Sequence, residues 1–83
     1  MQLPKYKIGD VIFGRIGYFQ GSTRKYTYPD IEESFFVKIK NISLINGEYY
    51  YYDYHREIIK ETDVNEELSL SEYGKERQYV DNN

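Results

Sequence analysis

The chain has 83 residues, enough for one domain with one small core, and it contains no cysteine for disulfides or thiolate metal sites. No apolar run is long enough to span a membrane, and residues 1–7 lack the apolar core of a signal peptide, so we expect a cytoplasmic protein. Residues 1–40 hold seven Lys/Arg against four Asp/Glu, whereas residues 41–83 hold four against ten. The net charge of −3 therefore argues against a generally basic nucleic-acid binder.

The first predicted strand runs from Val11 to Ile16 and follows a tight turn at Gly9-Asp10. Alternation places Ile12, Gly14 and Ile16 on one side of it. A glycine inside a strand marks a bend or the close approach of another backbone. We therefore expect either a bend at Gly14 or another segment that passes close to it.

A long polar connection, Gly17 to Glu33, follows this strand. Loops of more than about 12–15 residues are uncommon in compact domains and often bind partners. The alternative is a short hairpin across Gly21-Ser22, in which Tyr18-Phe19 pairs with Tyr26-Thr27-Tyr28. The sequence leaves both interpretations open.

The strongest pattern in the chain is a hairpin from Phe35 to Ile59, joined at Asn46-Gly47. Asn-Gly favours a type I′ turn, because both central residues then need positive φ. A two-residue loop fixes the register, so Ile45 should face Glu48 and, far from the turn, Val37 should face Arg56. The apolar side chains change face part-way along, which predicts a bent or bulged hairpin.

The C-terminal part predicts short helical structure. The segment Glu61 to Glu66 reads as a single helical turn capped by Asp63. A capping-box pattern at Ser69 to Glu72 predicts a helix from Leu70 to about Val80. The alternative is a last strand at residues 68–70 and a frayed tail, and residues 81–83 are expected to be disordered in either case.

Two motifs resemble the small bacterial and phage SH3-like barrels: the opening Tyr6-Lys7-Ile8-Gly9-Asp10-Val11 and the closing Ile58-Ile59-Lys60-Glu61-Thr62-Asp63-Val64. The resemblance covers about residues 5–65. It implies a mainly β fold, a five-stranded barrel over residues 1–65 built on the bent hairpin, and a binding role. Residues 66–83 would then be an acidic extension, a short helix or partly disordered. Residues 50–55 and 68–71 are also similar, with a gap, to a phage inhibitor of uracil-DNA glycosylase.

Catalytic and metal chemistry lack their components. Asp53, His55 and Glu57 would share one face of a strand, in the manner of a facial metal triad, but Lys38 and Lys40 opposite them would oppose a cation. The single histidine has no evident serine partner, and there is no cysteine nucleophile. The sequence therefore predicts no enzyme, no metal and no cofactor.

The surplus of aromatic residues is the best functional clue, because tyrosine is enriched at protein interfaces. There are 11 tyrosines. Those of the loop and of the hairpin, with the acidic region after it, form the predicted contact surface for a protein partner: Tyr18, Phe19, Tyr26, Tyr28, Tyr49, Tyr51, Glu61, Asp63, Glu66 and Glu67. The resulting hypothesis is a non-catalytic binding module, an inhibitor or adaptor from a phage or mobile element that binds a host protein.

Two other functions stay open. Basic and aromatic residues interleave in a way that suits single-stranded nucleic acid or RNA, at Arg15, Arg24, Lys25, Tyr26 and Tyr28. The tyrosines could also form a homo-oligomer interface. Neither alternative requires a membrane.

Overall fold

The computed structural model describes residues 3–22, 24–54 and 57–69. Over these residues the chain is mainly β, with three small antiparallel sheets, one 3₁₀ turn and one short helix. The elements in order are β1 (Val11–Arg15), β2 (Tyr18–Phe19), β3 (Tyr26–Thr27), β4 (Ser34–Lys38), β5 (Asn41–Ile45), β6 (Glu48–Tyr52), β7 (Ile58–Lys60), a 3₁₀ turn (Glu61–Asp63) and α1 (Glu66–Ser69). In the described part of the chain, no helix has the length and apolar character needed to cross a bilayer.

Strand β1 pairs with β4. At Gly14 the structure shows the close approach of another backbone. A Cβ atom on Gly14 would lie 2.6 Å from the backbone oxygen of Asp63 and 2.8 Å from Cγ2 of Ile59. Gly14 also forms a bridge with Val64. The missing side chain therefore lets the segment after β7 approach β1 directly.

The connection between β1 and β4 contains the short hairpin and not a plain loop. Tyr18 pairs with Thr27 and Phe19 pairs with Tyr26. The amide of Gln20 donates a hydrogen bond of 2.9 Å to the carbonyl of Lys25 at the turn. Because this hairpin forms, several of its aromatic residues pack within the fold and are not free to contact a partner.

The main hairpin forms with the predicted register near its turn. The pairs run from Ile45 with Glu48 to Asn41 with Tyr52, and Asn46 and Gly47 have φ values of 51° and 80°. These positive values fit the type I′ turn that Asn-Gly favours.

Farther from the turn, the predicted pairing is wrong. Val37 pairs with Ile12 of β1, in a different sheet from β5 and β6, and Arg56 lies outside the described residues. The strand breaks at Ile39-Lys40, where the chain leaves the β1–β4 sheet and enters the β5–β6–β7 sheet. The change of apolar face in the sequence therefore marks the passage from one sheet to another.

The helical turn predicted over Glu61 to Glu66 forms in part, as a 3₁₀ turn that starts at Glu61. Asp63 is the last residue of this turn and not its cap. Asn65 caps α1, because its Oδ1 accepts a 3.0 Å bond from the amide of Leu68. The alternative strand at residues 68–70 is wrong where the structure describes it, since Leu68 and Ser69 are helical. The predicted helix from Leu70 to about Val80 and the disorder of residues 81–83 lie outside the described residues.

The core lies between the β1–β4 and β5–β6–β7 sheets. Its fully buried members come from β1, the β4–β5 junction, β6 and β7: Ile12, Val37, Ile39, Tyr51 and Ile59. Burying one such aliphatic side chain contributes roughly 1.5–3 kcal/mol. Helix α1 joins this body through Ser69, whose Oγ accepts a 2.8 Å bond from the amide of Phe13.

Candidate functional site

Strand β6 is covered on both faces. Successive side chains of a strand point to opposite sides, so Tyr50 and Tyr51 face different surroundings. Both are buried, with 5% and 0% of their surface exposed. The two faces must be described separately, because they decide which aromatic residues remain available to a partner.

On the core face, Tyr51 is held by its ring and by its hydroxyl. The hydroxyl donates a 2.5 Å bond to Oε1 of Glu61 and accepts a longer bond from the amide of Tyr6. The rings of Tyr6 and Tyr51 meet edge to face at 5.6 Å. Burial, and then the bond to Glu61, raises the pKa of Tyr51. The sequence analysis placed Tyr51 on the contact surface, but the structure buries it completely and bonds its hydroxyl to the Glu61 carboxylate.

On the other face, four rings form what we call the aromatic cluster: Phe19, Tyr26, Tyr28 and Tyr50. The ring of Phe19 lies 4.9 Å from that of Tyr50, and the ring of Tyr26 lies 5.1 Å from Tyr50 and 5.3 Å from Tyr28. The tilted and edge-on arrangements are the favourable ones for aromatic pairs. The β2–β3 hairpin thus packs its rings onto β6.

Tyr26 is anchored in this cluster by its hydroxyl as well. It donates a 2.7 Å bond to the carbonyl of Ile58 in β7. Burial, with the nearby Asp63 carboxylate adding to it, raises the pKa of Tyr26. A side chain on Gly17 would overlap the Tyr26 ring, so this glycine provides the space that the ring occupies. The functional group of Tyr26 is therefore already used within the fold.

Tyr28 joins the cluster to charged residues. Its hydroxyl donates a 2.6 Å bond to Oδ2 of Asp63, and burial followed by this bond raises the pKa of Tyr28. The guanidinium of Arg15 lies 4.1 Å from the Tyr28 ring centre, which is a cation–π distance. Nε of Arg15 lies 3.6 Å from Oε1 of Glu32. Tyr28 thus interacts with Arg15 through its ring and with Asp63 through its hydroxyl.

The other sequence-predicted residues are more accessible. Tyr18 is exposed, whereas Phe19 and Tyr49 are half-buried. Glu66 and Glu67 are exposed, and Glu66 forms a 3.0 Å ion pair with Lys5. Arg24 and Lys25 are also exposed. The structure brings Phe19, Tyr26 and Tyr28 together and leaves Glu67 apart from them.

The tip pocket is a cavity of about 390 Å³ between the β2–β3 turn and the end of the main hairpin. Phe19, Gly21, Arg24 and Ile45 line it. Arg24 adopts the left-handed conformation, with φ of 53°, as it leaves the turn. This pocket combines an aromatic ring, an aliphatic side chain and a cation.

The N-terminal groove is larger, about 640 Å³, and runs between residues 3–10 and β5. Its lining is mostly apolar and includes two lysines: Leu3, Pro4, Lys5, Tyr6, Lys7, Ile8, Asp10 and Ile42. Leu3 and Ile8 leave 83% and 57% of their surface in solvent. The sequence analysis did not identify this groove, although the uncharged segment Asn41–Ile45 beside it was visible in the sequence.

Among the described residues, no three His, Asp or Glu side chains lie close enough together to hold a metal ion. The proposed ligand His55 lies outside the described residues. No family model matches the chain, and no curated protein and no solved structure resembles it significantly.

Proposed function

We propose that this protein is a non-catalytic binding module for another protein, an inhibitor or adaptor of the kind that phages and mobile elements encode. One observation carries the proposal. In the described part of the chain, nine large apolar side chains are exposed and nine apolar side chains are buried. Where such side chains lie together, as Phe19 and Ile45 do at the tip pocket, exposed apolar surface favours an interaction site.

The proposed contact surface is the hairpin surface, defined as Tyr18, Phe19, Leu44 and Ile45. Phe19 and Ile45 line the tip pocket, and their chain neighbours Tyr18 and Leu44 are 43% and 45% exposed. Tyrosine and aliphatic side chains in such positions supply contact area at an interface core. Acidic complementarity to a basic partner would then come from Glu66 and Glu67, since Glu61 and Asp63 accept bonds from buried tyrosines.

We also propose that the sheets together form an SH3-like five-stranded barrel. Strands β4 and β5 follow one another with only Ile39-Lys40 between them, so they act as two halves of one bent strand. The 3₁₀ turn separates β7 from Val64, which bridges to Gly14 of β1. This order supports the arrangement that the opening and closing motifs resemble.

Affinity capture with two matched variants tests the binding function. The full chain is immobilised and exposed to lysate of the organism that encodes it, and retained proteins are identified by mass spectrometry. We expect one protein in stoichiometric amount on the wild-type chain and on Ile31→Lys, and its loss on Ile45→Lys. Ile31 is a suitable control because it is also exposed, at 76%, but lies outside the hairpin surface. If no protein is retained by the wild-type chain, the proposal fails.

Single-stranded nucleic acid is the second candidate, and the tip pocket is the observation that favours it. Phe19 could stack on a base there while Arg24 contacts a phosphate. Fluorescence anisotropy with labelled oligothymidine over a salt series distinguishes the two functions. Binding that weakens with salt and is lost in the double variant Arg24→Ala, Lys25→Ala would favour this candidate.

A further inference from the structure

We propose that β5 and the N-terminal groove bind an extended segment of the partner protein, apolar at alternate positions and acidic at its ends, as an added β-strand. This inference rests on the proposed protein-binding function and specifies how the partner is recognised. It is carried by the open edge of β5, by the groove beside it and by the charges around both.

Strand β5 is the edge of its sheet. The order is β5-β6-β7, and within the described ranges no segment pairs with the other side of β5. Ile45 and Glu48 flank a two-residue turn and form a hydrogen-bonded pair, so alternation directs the amides and carbonyls of Ile42 and Leu44 away from β6. These groups are the bonding positions that an added strand uses.

Within the strand itself, Asn41–Ile45, β5 carries no charge, proline or glycine to prevent strand addition. Natural proteins usually protect an exposed edge with lysine, proline or a bulge. An unprotected edge with an exposed Leu44 is therefore a template for pairing with another chain.

The N-terminal groove gives the added strand a place for its side chains. Ile42 of β5 lines the groove together with Leu3 and Ile8. In strand addition, backbone bonds supply affinity and pockets for alternate side chains supply specificity. A groove of about 640 Å³ has room for more than one apolar side chain.

The charges around this edge select an acidic occupant. Lys7 lines the groove, and Lys40 lies exposed at the start of β5, whereas Lys5 is already paired with Glu66. Asp10 is the one carboxylate among the lining residues, and it lies beside Lys7. A second copy of the chain would pair its uncharged β5 here and add no negative charge near Lys7 and Lys40, whereas an acidic segment would, so the partner strand is favoured.

Peptide selection on the full chain tests the proposal. A displayed library of random ten-residue peptides is selected on the immobilised protein, and the enriched peptides are synthesised. We expect alternating apolar residues with Asp or Glu at the ends, and binding at least tenfold weaker when the acidic residues are replaced by Lys. Methylation of alternate backbone amides of the peptide should abolish binding, which a role of the side chains alone would not predict.

Two variants test whether the peptide binds at the edge of β5. Leu44 and Phe35 are both 45% exposed on edge strands, so Leu44→Lys and Phe35→Lys are a matched pair. We expect Leu44→Lys to lose peptide binding and Phe35→Lys to keep it, with both amide NMR spectra showing a folded chain. Shifts of the Ile42 and Leu44 amides on titration would locate the added strand directly.

Three outcomes would overturn the inference. Peptides that bind equally well with basic ends remove the charge argument, and equal effects of the two lysine variants remove the β5 edge. A concentration-dependent dimer in light scattering that Leu44→Lys abolishes would assign the edge to a second copy. If lysate capture succeeds and depends on Ile45 while these tests fail, the binding function stands without this mode of recognition.

Discussion

The two faces of β6 are built on neighbouring tyrosines but differ in kind. Tyr51 faces aliphatic side chains from three other parts of the fold, Ile12, Ile39 and Ile59. Tyr50 faces the rings of Phe19 and Tyr26, which arrive on one two-stranded hairpin. The first face is surrounded by several strands, whereas the second depends on one small unit. Tyr50 and Tyr51 are therefore almost equally buried, but several strands hold Tyr51 in place whereas one hairpin covers Tyr50.

This difference explains why the number of tyrosines overstates the aromatic surface that a partner could contact. In a strand with one solvated face, half of a tyrosine run would be exposed. Here the β2–β3 hairpin covers the second face, and the hydroxyls of Tyr26 and Tyr28 bond to Ile58 and Asp63. Much of the aromatic content stabilises the fold, and the surface left for a partner is more aliphatic than expected.

The largest expected effect comes from truncating the two tyrosines in turn. Tyr51→Ala should lower the free energy of unfolding by about 3–5 kcal/mol, because several strands hold the cavity open. Tyr50→Ala should cost less, since the hairpin on that side can move into the space. Chemical denaturation of both variants measures the difference. A larger loss for Tyr50→Ala would show that the aromatic cluster, and not the aliphatic core, dominates stability.

The glycines behind the two faces give a second comparison. Gly14→Ala should lower the unfolding free energy by about 1–3 kcal/mol, because the new methyl meets the backbone of Asp63. Gly17→Ala meets only the Tyr26 ring, which can rotate away, so we expect a smaller loss. Thermal unfolding ranks the two. Near-ultraviolet circular dichroism should change more for Gly17→Ala, and the reverse result would contradict the assignment.

Alkaline pH should act on both faces. Tyrosine in an unfolded chain loses its proton near pH 10, whereas burial keeps the proton on Tyr26 and Tyr51 in the folded chain at higher pH. Their contribution to stability is therefore complete below about pH 10 and declines as the pH rises above it. Unfolding free energies measured from pH 8 to 11 should show this fall. Tyr26→Phe should make the fall shallower, and an unchanged slope would count against a raised pKa for Tyr26.

The smallest effect is expected at the surface. The ion pair of Lys5 with Glu66 joins two exposed side chains, and such pairs contribute about 0–1 kcal/mol. Lys5→Ala should therefore leave the unfolding free energy nearly unchanged at ordinary salt. If it costs more than Tyr26→Phe, residues 3–10 contribute more to the fold than their exposure indicates.

The sequence predicted the features that depend on residues close together in the chain. The turn at Asn46-Gly47 set the register as far as Asn41 with Tyr52, and the close approach at Gly14 followed from a glycine inside a strand. The pairing of Val37 with Ile12 could not be read in the same way, because two distant segments compete for one strand. The change of apolar face along the hairpin sequence reflects this change of pairing partner. It could be interpreted in that way only once both sheets were known.

The candidate site was predicted less well, for a related reason. Periodicity shows which side of a strand is apolar but not what covers the other side, so Tyr26 and Tyr28 appeared available. Glu61 and Asp63 appeared as surface charges because their tyrosine partners lie 10 and 35 residues away in the chain. The N-terminal groove forms only when residues 3–10 pass beside β5. Each of these facts depends on contacts that a linear pattern does not encode.

The attachment of β1 to residues far along the chain has a consequence for biosynthesis. The amide of Phe13 donates a hydrogen bond to the hydroxyl of Ser69, which lies 56 positions later in the chain. The carbonyl of Phe13 accepts a hydrogen bond from the amide of Asn65. Contacts of such long range slow folding and cannot form while the later segment is inside the ribosome. The nascent protein therefore emerges with its first strand incomplete on one edge, and that edge stays open until Ser69 has left the ribosome.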